Sequence, residues 1–185
     1  VNELAPVVAA IHAGKDLMLV PMPQTFPNDL KTSKDIIFAV QYLKGGVGES
    51  VHQNNRYRNN DNGNIISLEQ AEFESDKDNR KALVEPTGSG QRPGKFNAPA
   101  TNNETSADFP VMRCAEVMLM YAEAANENHN GPTPQAKEAL KKVRNRAFAA
   151  EDQPEMVDTY VDKLTSKEDF FDAIVKERAW EFGGE

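Results

Sequence analysis

The chain of 185 residues has one cysteine, three histidines and a shortage of positive charge. A single cysteine, Cys114, excludes an internal disulfide and any cysteine-built zinc cluster. Lys and Arg number 21 against 29 Asp and Glu, a formal net charge of −8. That sign argues against non-specific nucleic-acid binding, which needs clustered cations to displace counterions. Also missing is any apolar run near the roughly 18–20 residues that cross a bilayer. Strong core formers are scarce, with Leu, Ile, Val and Phe making up 39 of the 185 residues. That fraction sits close to the roughly 20% level at which disorder sets in. The length suffices for one domain, and so thin a core points to a loop-rich chain or to part of something larger.

What is present divides the chain into three stretches. Residues 1–44 read as a helix plus a strand. Glu3 to Ile11 is rich in Ala and Val and closes at Gly14. Val1 is not Met and no basic segment precedes the apolar residues, so no targeting signal is read here. Asp35 to Leu43, β-branched and aromatic and bounded by Gly45-Gly46, is the best strand candidate. Residues 45–108 are a loop-rich insertion. Asn fills six of the eleven positions from Asn54 to Asn64, and Pro86, Gly88, Gly90, Pro93, Gly94 and Pro99 follow. Regular structure there should be limited to short strands such as Asn64–Leu68.

Residues 109–185 read as three helices. Val111, Ala115, Met118, Ala122 and Ala125 recur at helical spacing. The stretch Asn128 to Pro132 ends that helix and places His129 in the turn. Thr133 can cap the next, with Pro134 at its first position and Ala136, Leu140, Val143 and Ala147 along one face. Ser166 and Asp169 form a capping-box pattern ahead of a stripe of Phe170, Ile174, the stem of Arg178 and Phe182. Small residues at Ala115, Ala122, Ala125, Ala136 and Ala139 allow the first two helices to pack closely as a hairpin.

Few groupings carry chemistry. Setting Gly63 as the glycine of a calcium-binding loop brings Asn60, Asn62, Ile65 and Glu69 into register, but Arg58 falls where an aspartate ligand is required. An Asn/Gly turn is the better reading. Glu69, Glu72, Glu74, Asp76 and Asp78 show no feature that separates a catalytic carboxylate pair from a solvated acidic segment. His12, His52 and His129 share no ligand spacing, so neither metal nor cofactor is expected. No phosphate-binding glycine loop or nucleophile elbow occurs. Cys114 reads as a small core hydrophobe, and Asn103-Glu-Thr105 as a chance glycosylation pattern. The segment His52-Gln53-Asn-Asn-Arg56-Tyr57-Arg58 differs in kind. Amides and guanidinium groups bond hydroxyls, and an aromatic ring stacks on the apolar face of a sugar. His52, Gln53, Arg56, Tyr57 and Arg58 are therefore the candidate ligand contacts, the bland alternative being a soluble surface loop.

Five segments resemble the SusD/RagB family of Bacteroidetes outer-membrane nutrient-binding lipoproteins. Arg113-Cys-Ala-Glu-Val-Met-Leu-Met-Tyr-Ala-Glu-Ala124 is similar to its R-x-A-[ED]-x-x-L-x-x-A-E-A helix. Val143-Arg144-Asn-Arg146-Ala147 resembles its V-R-x-R-A section, and Ile174-Val-Lys-Glu177-Arg178-Ala-Trp-Glu181-Phe182 its I-x-x-E-R-x-x-E-[LF] helix. Upstream, Lys34-Asp-Ile-Ile-Phe-Ala-Val-Gln-Tyr42 matches a family strand, and Asp78-Asn-Arg80 with Lys95-Phe96 its D-x-R…K-[FY] section. Cys114 departs from the family's usual aromatic, and Lys141-Lys142 from its Ile-Asn.

The resemblance implies a mainly α fold, a SusD-like helical (TPR-like) scaffold with the loop-rich insertion set on it. It implies a non-enzymatic, lipid-anchored cell-surface protein of the outer membrane. Such a protein binds a polysaccharide or oligosaccharide and passes it to a SusC-like TonB-dependent transporter. Membrane attachment would run only through a lipid anchor absent from this chain, which reads as an internal-to-C-terminal piece of a longer protein. Glu116, Glu123, Arg144, Arg146, Glu177 and Arg178 are expected to form interhelical ion pairs instead of a binding site. The alternatives are a peptide-binding helical-repeat adaptor, a family member specialised for peptides, and, least favoured, a hydrolase.

Overall fold

The computed structural model describes residues 33–40, 73–81 and 109–183, and within them the protein is mainly α-helical. Two strands, β1 (Ile36–Val40) and β2 (Phe109–Arg113), pair antiparallel, with Ile36 opposite Arg113 and Phe38 opposite Met112. The register shifts between Ile36 and Phe38 and again between Phe38 and Ala39, as expected where a bulge twists a short ribbon. Phe38, Val40, Val111 and Met112 of the ribbon are exposed. These strands flank the loop-rich stretch. The short strand expected at Asn64–Leu68, the expected N-terminal helix, the calcium-like loop and the glycosylation pattern lie outside the described residues.

β2 runs straight into α1 (Cys114–His129). Val111, counted with the helical face by its spacing, is instead an exposed strand residue. Four residues before Ala115 is a helical interval, but pairing with β1, some seventy positions upstream, determines the conformation there. The rest of that face is buried as the spacing requires: Ala115, Met118, Ala122 and Ala125, joined by Cys114 and Leu119. His129 is the last residue of α1 and not a turn residue. The helix stops at Asn130, whose left-handed backbone (φ 53°) and the following Gly131 (φ 153°) reverse the chain.

Thr133 caps α2 (Pro134–Asn145), its Oγ1 accepting from the Ala136 amide at 3.1 Å. The chain then widens into a π-helical turn, Pro154–Thr159, which leads into one α-helical turn, α3 (Tyr160–Asp162). Periodicity gives no sign of this element. Its wide backbone is held from outside, since the Met156 carbonyl accepts from Arg144 Nε at 2.7 Å. Ser166 caps α4 (Lys167–Phe182) by accepting from the Asp169 amide at 3.0 Å.

The core is small and tight. Alanines of α1 and α2 (Ala115, Ala122, Ala125, Ala136, Ala139) let the two helices approach, and Met118, Leu119, Leu140, Val143, Phe170 and Ile174 fill the space between α1, α2 and α4. At the far end of α1, the Asn126 side-chain amide donates to the Lys167 carbonyl at 2.9 Å, fixing the start of α4. The buried face of α4 runs Phe170, Ala173, Ile174, Glu177, Trp180 and Glu181. Arg178 lies beside that face, half-exposed. The two glutamates on the buried face lead to the site.

Candidate functional site

Glu177 and Glu181 are one helical turn apart on α4, so both point to the same side. Four arginines meet them there. Arg80 arrives from the segment between residues 73 and 81. It donates from Nε and Nη2 to the two oxygens of Asp78, at 3.0 and 2.7 Å, in a forked grip. Its Nη1 reaches Glu177 at 2.5 Å and Glu181 at 3.3 Å. Arg113, the last residue of β2, donates from Nη1 to Asp35 at 2.9 Å and to Glu181 at 2.9 Å, and from Nη2 to the Glu181 carbonyl oxygen. Arg144 of α2 donates to Glu177 at 2.8 Å. Arg146, just past α2, donates to the same Asp35 oxygen at 3.1 Å and also to Glu181.

The hub thus sets four guanidinium groups against four carboxylates, those of Asp35, Asp78, Glu177 and Glu181, and is formally neutral. Seven of the eight members are buried, Arg80, Asp35 and Glu181 completely, and Arg146 is partly buried with its side chain almost covered. Burying one unpaired charge costs several kcal/mol, so charges this deep persist only when matched. Desolvation alone would lower the Arg80 pKa, but Glu177, Asp78 and Glu181 outweigh it and raise it, so Arg80 stays a cation.

Aromatic rings close the hub laterally. The Arg144 guanidinium lies 3.9 Å from the centre of the Tyr160 ring and 5.3 Å from that of Trp180, while Arg113 lies 4.7 Å from Phe182. Phe73 stacks on Trp180 at 6.2 Å. Burial, with Glu74 adding to it, pushes the Tyr160 hydroxyl up to about 12, so it remains neutral beside the hub.

Chemically the arrangement holds elements together. Acid–base catalysis needs a group that can exchange a proton with a bound substrate. These carboxylates are instead spent on buried arginines. Among the described residues no group of three His, Cys, Asp or Glu side chains is placed to hold a metal ion, and no helix is long and apolar enough to cross a membrane.

Cys114, at the start of α1, is fully buried. Burial, with the Asp35 charge adding to it, pushes its thiol up to about 12 against the opposing pull of Arg146 and Arg113. A thiol raised in the folded state stays protonated there while the unfolded chain ionises. Its contribution to stability is therefore complete below the ordinary thiol value and is lost as pH climbs towards about 12. Two outcomes follow. Iodoacetamide should leave Cys114 unmodified in the folded protein and alkylate it promptly in denaturant. Cys114→Ala should flatten the loss of stability on the alkaline side, as read from urea midpoints between neutral pH and pH about 10.

Of the expected interhelical pairs, Arg144 with Glu177 joins α2 to α4, and Arg178 pairs with Glu116 of α1 at 3.2 Å. Arg146 pairs with Asp35 and Glu181, which are not among the six residues expected to pair. Asp35, Asp78, Arg80, Arg113 and Glu181 are hub members that periodicity could not reveal, because their partners lie 35 to 111 residues away except within the Asp78–Arg80 pair. A signal existed. Each is a charged residue inside one of the five family-like segments. The candidate contacts His52, Gln53, Arg56, Tyr57 and Arg58 lie outside the described residues.

The helical scaffold, with its charge turned inward and a two-stranded ribbon leading into α1, defines a class already seen in solved structures. A SusD superfamily protein from Parabacteroides distasonis superposes with a TM-score of 0.69 at 15% identity, covering 98% of this chain and 43% of that one. A SusD superfamily protein from Bacteroides fragilis gives 0.65 at 19% identity, covering 98% and 45%. B. fragilis NanU gives 0.63 at 18% identity, covering 96% and 47%. These likenesses establish the fold, and the chain spans a little under half the length of the structures it matches. The sequence model of the SusD family matches residues 52–185, and the chain belongs to that family. No curated protein sequence is significantly similar to it.

Proposed function

We propose that the protein of which this chain is part binds an oligosaccharide or polysaccharide nutrient at the outer-membrane cell surface and delivers it to a SusC-like TonB-dependent transporter, without breaking bonds. Family membership carries the reading. The hub supports it, because the most deeply buried acidic residues among the described ones serve as structural counter-ions. Attachment would be through a lipid anchor, with the helical scaffold facing the transporter.

Recognition would rest on His52, Gln53, Arg56, Tyr57 and Arg58, whose amide, guanidinium and phenol groups suit a neutral polyol. Binding of this kind is shallow and repeated along a chain, each stacked ring or charged hydrogen bond worth about 1 kcal/mol. Tyr57→Ala and Arg56→Ala should each weaken glycan binding about fivefold in calorimetric titrations, the equivalent of that energy. Unchanged affinity in both variants would remove these residues from the contact surface.

A further inference from the structure

Helices α2 and α4 open on a capping hydroxyl, Thr133 in one and Ser166 in the other. α1 opens without one. Its N-cap residue is Arg113, which makes no side-chain capping bond, because a guanidinium group has donors only and nothing to accept with. The first amides of a helix have no carbonyl one turn back to meet. The Cys114 amide donates instead to the main-chain carbonyl of Asp35 at 2.8 Å. The next amide is that of Ala115, which is fully buried and out of reach of bulk solvent.

The same stretch before β1 holds acceptors in the opposite position. It lies against the helix start, with the Lys34 carbonyl 3.9 Å from Cys114 Sγ. The Asp35 carboxylate is used on one side. Its Oδ2 accepts from Arg113 at 2.9 Å and from Arg146 at 3.1 Å. Its Oδ1 is enclosed and has no hydrogen-bond partner among the described residues. Ser33 Oγ, two residues earlier, is enclosed and without a partner in the same way. Asp35 is fully buried and Ser33 nearly so. Polar atoms this deep are as a rule satisfied, by ordered water where the chain supplies no group.

We propose that one ordered water molecule caps α1, accepting from the Ala115 amide and donating to Asp35 Oδ1 and Ser33 Oγ. Three hydrogen bonds are what a buried water ordinarily makes. The chemistry of the partners selects water. An anion has no proton to give Asp35 and would meet its charge. A metal ion or ammonium has no lone pair for the amide and would meet Arg113 and Arg146. Through the water, Asp35 acts on α1 as a capping carboxylate at one remove. It thereby ties the approach to β1 to the helix that follows β2. The site is independent of the function proposed above.

The test is a high-resolution crystal structure of the full chain, with solution NMR on the same protein. Density for one water should lie within hydrogen-bond reach, roughly 2.7–3.2 Å, of Asp35 Oδ1 and the Ala115 nitrogen. The Ala115 amide proton should show an Overhauser contact to water, with the sign of a long-lived molecule. Ser33→Ala removes one of the three bonds. The residence time of the water, read by deuteron relaxation dispersion, should then shorten about fivefold, the equivalent of about 1 kcal/mol. If Ser33→Ala does not fold, the density and the Overhauser contact in the parent decide alone. A protein donor placed directly on Asp35 Oδ1 overturns the proposal, as does an Ala115 amide that exchanges freely with solvent. So does a residence time unchanged by Ser33→Ala, or a density that anomalous scattering identifies as a metal or halide ion.

Discussion

Glu177→Ala should lower the free energy of unfolding by about 3–5 kcal/mol, the cost typical of removing one partner from a buried ion pair. The expectation is this large because Glu177 serves two arginines. Arg80 meets one oxygen and Arg144 the other, and both cations are buried. Without the carboxylate, two guanidinium groups face each other's neighbourhood with less compensation and no access to water. The comparison variant is Glu116→Ala. Its pair with Arg178 is half-exposed and 3.2 Å long, so it should cost no more than about 1 kcal/mol. Urea titration of both, with m-values checked for two-state behaviour, separates the outcomes. A loss below about 1 kcal/mol in Glu177→Ala would mean that water or a neighbouring acid replaces Glu177 and that the hub is looser than its geometry. The size of this penalty does not make the hub a net source of stability. An apolar cluster of equal volume could be as stable, and the ion pairs are better understood as fixing which segments meet.

Phe170→Ala should cost about 3–5 kcal/mol for a different reason, the cavity left where a ring is fully enclosed. Phe170 stands on the first turn of α4 within the apolar cluster shared with α1 and α2. A core with so few large side chains has little material to collapse into the space. Phe171, its neighbour in sequence, is exposed on the other side of the helix, and Phe171→Ala should change stability by no more than about 0.5 kcal/mol. Thermal or urea unfolding of the pair decides it. Equal losses at both positions would mean that α4 is rotated from the orientation described, or that Phe171 is covered.

The contrast between Phe170 and Phe171 was legible without a structure, because helical spacing places Phe170 with Ile174. So were the helix starts at Thr133 and Ser166, whose hydroxyls act within three residues of themselves. What local spacing encodes, sequence reading recovers. Val111 shows the limit. Its interval to Ala115 fits a helix, yet a strand from some seventy residues earlier claims it. The π-helical turn was hidden for a similar reason, since the group that holds its Met156 carbonyl belongs to α2.

The hub was half legible. Arg144 and Glu177 were legible as members of a set of opposite charges on neighbouring helices, though not as each other's partner. Asp35, Asp78, Arg80 and Arg113 sit in strands and turns without a period. Apart from the local Asp78–Arg80 grip, their partners are brought near by tertiary structure alone. Their recurrence as charged residues within family-like segments marked them as important without saying for what. For the ligand contacts, sugar-compatible chemistry at His52, Gln53, Arg56, Tyr57 and Arg58 is the whole of the argument, and it stands or falls on binding.

That makes one measurement decisive. The full-length protein, purified and incubated with a panel of oligosaccharides, should bind at least one of them saturably and return it chemically intact, as followed by calorimetry and by chromatography of the sugar. Saturable binding with no cleavage products is the expected result. Shortened sugars in the mixture, or binding to peptides with none to any glycan, would contradict the proposal of a non-catalytic nutrient-glycan binder.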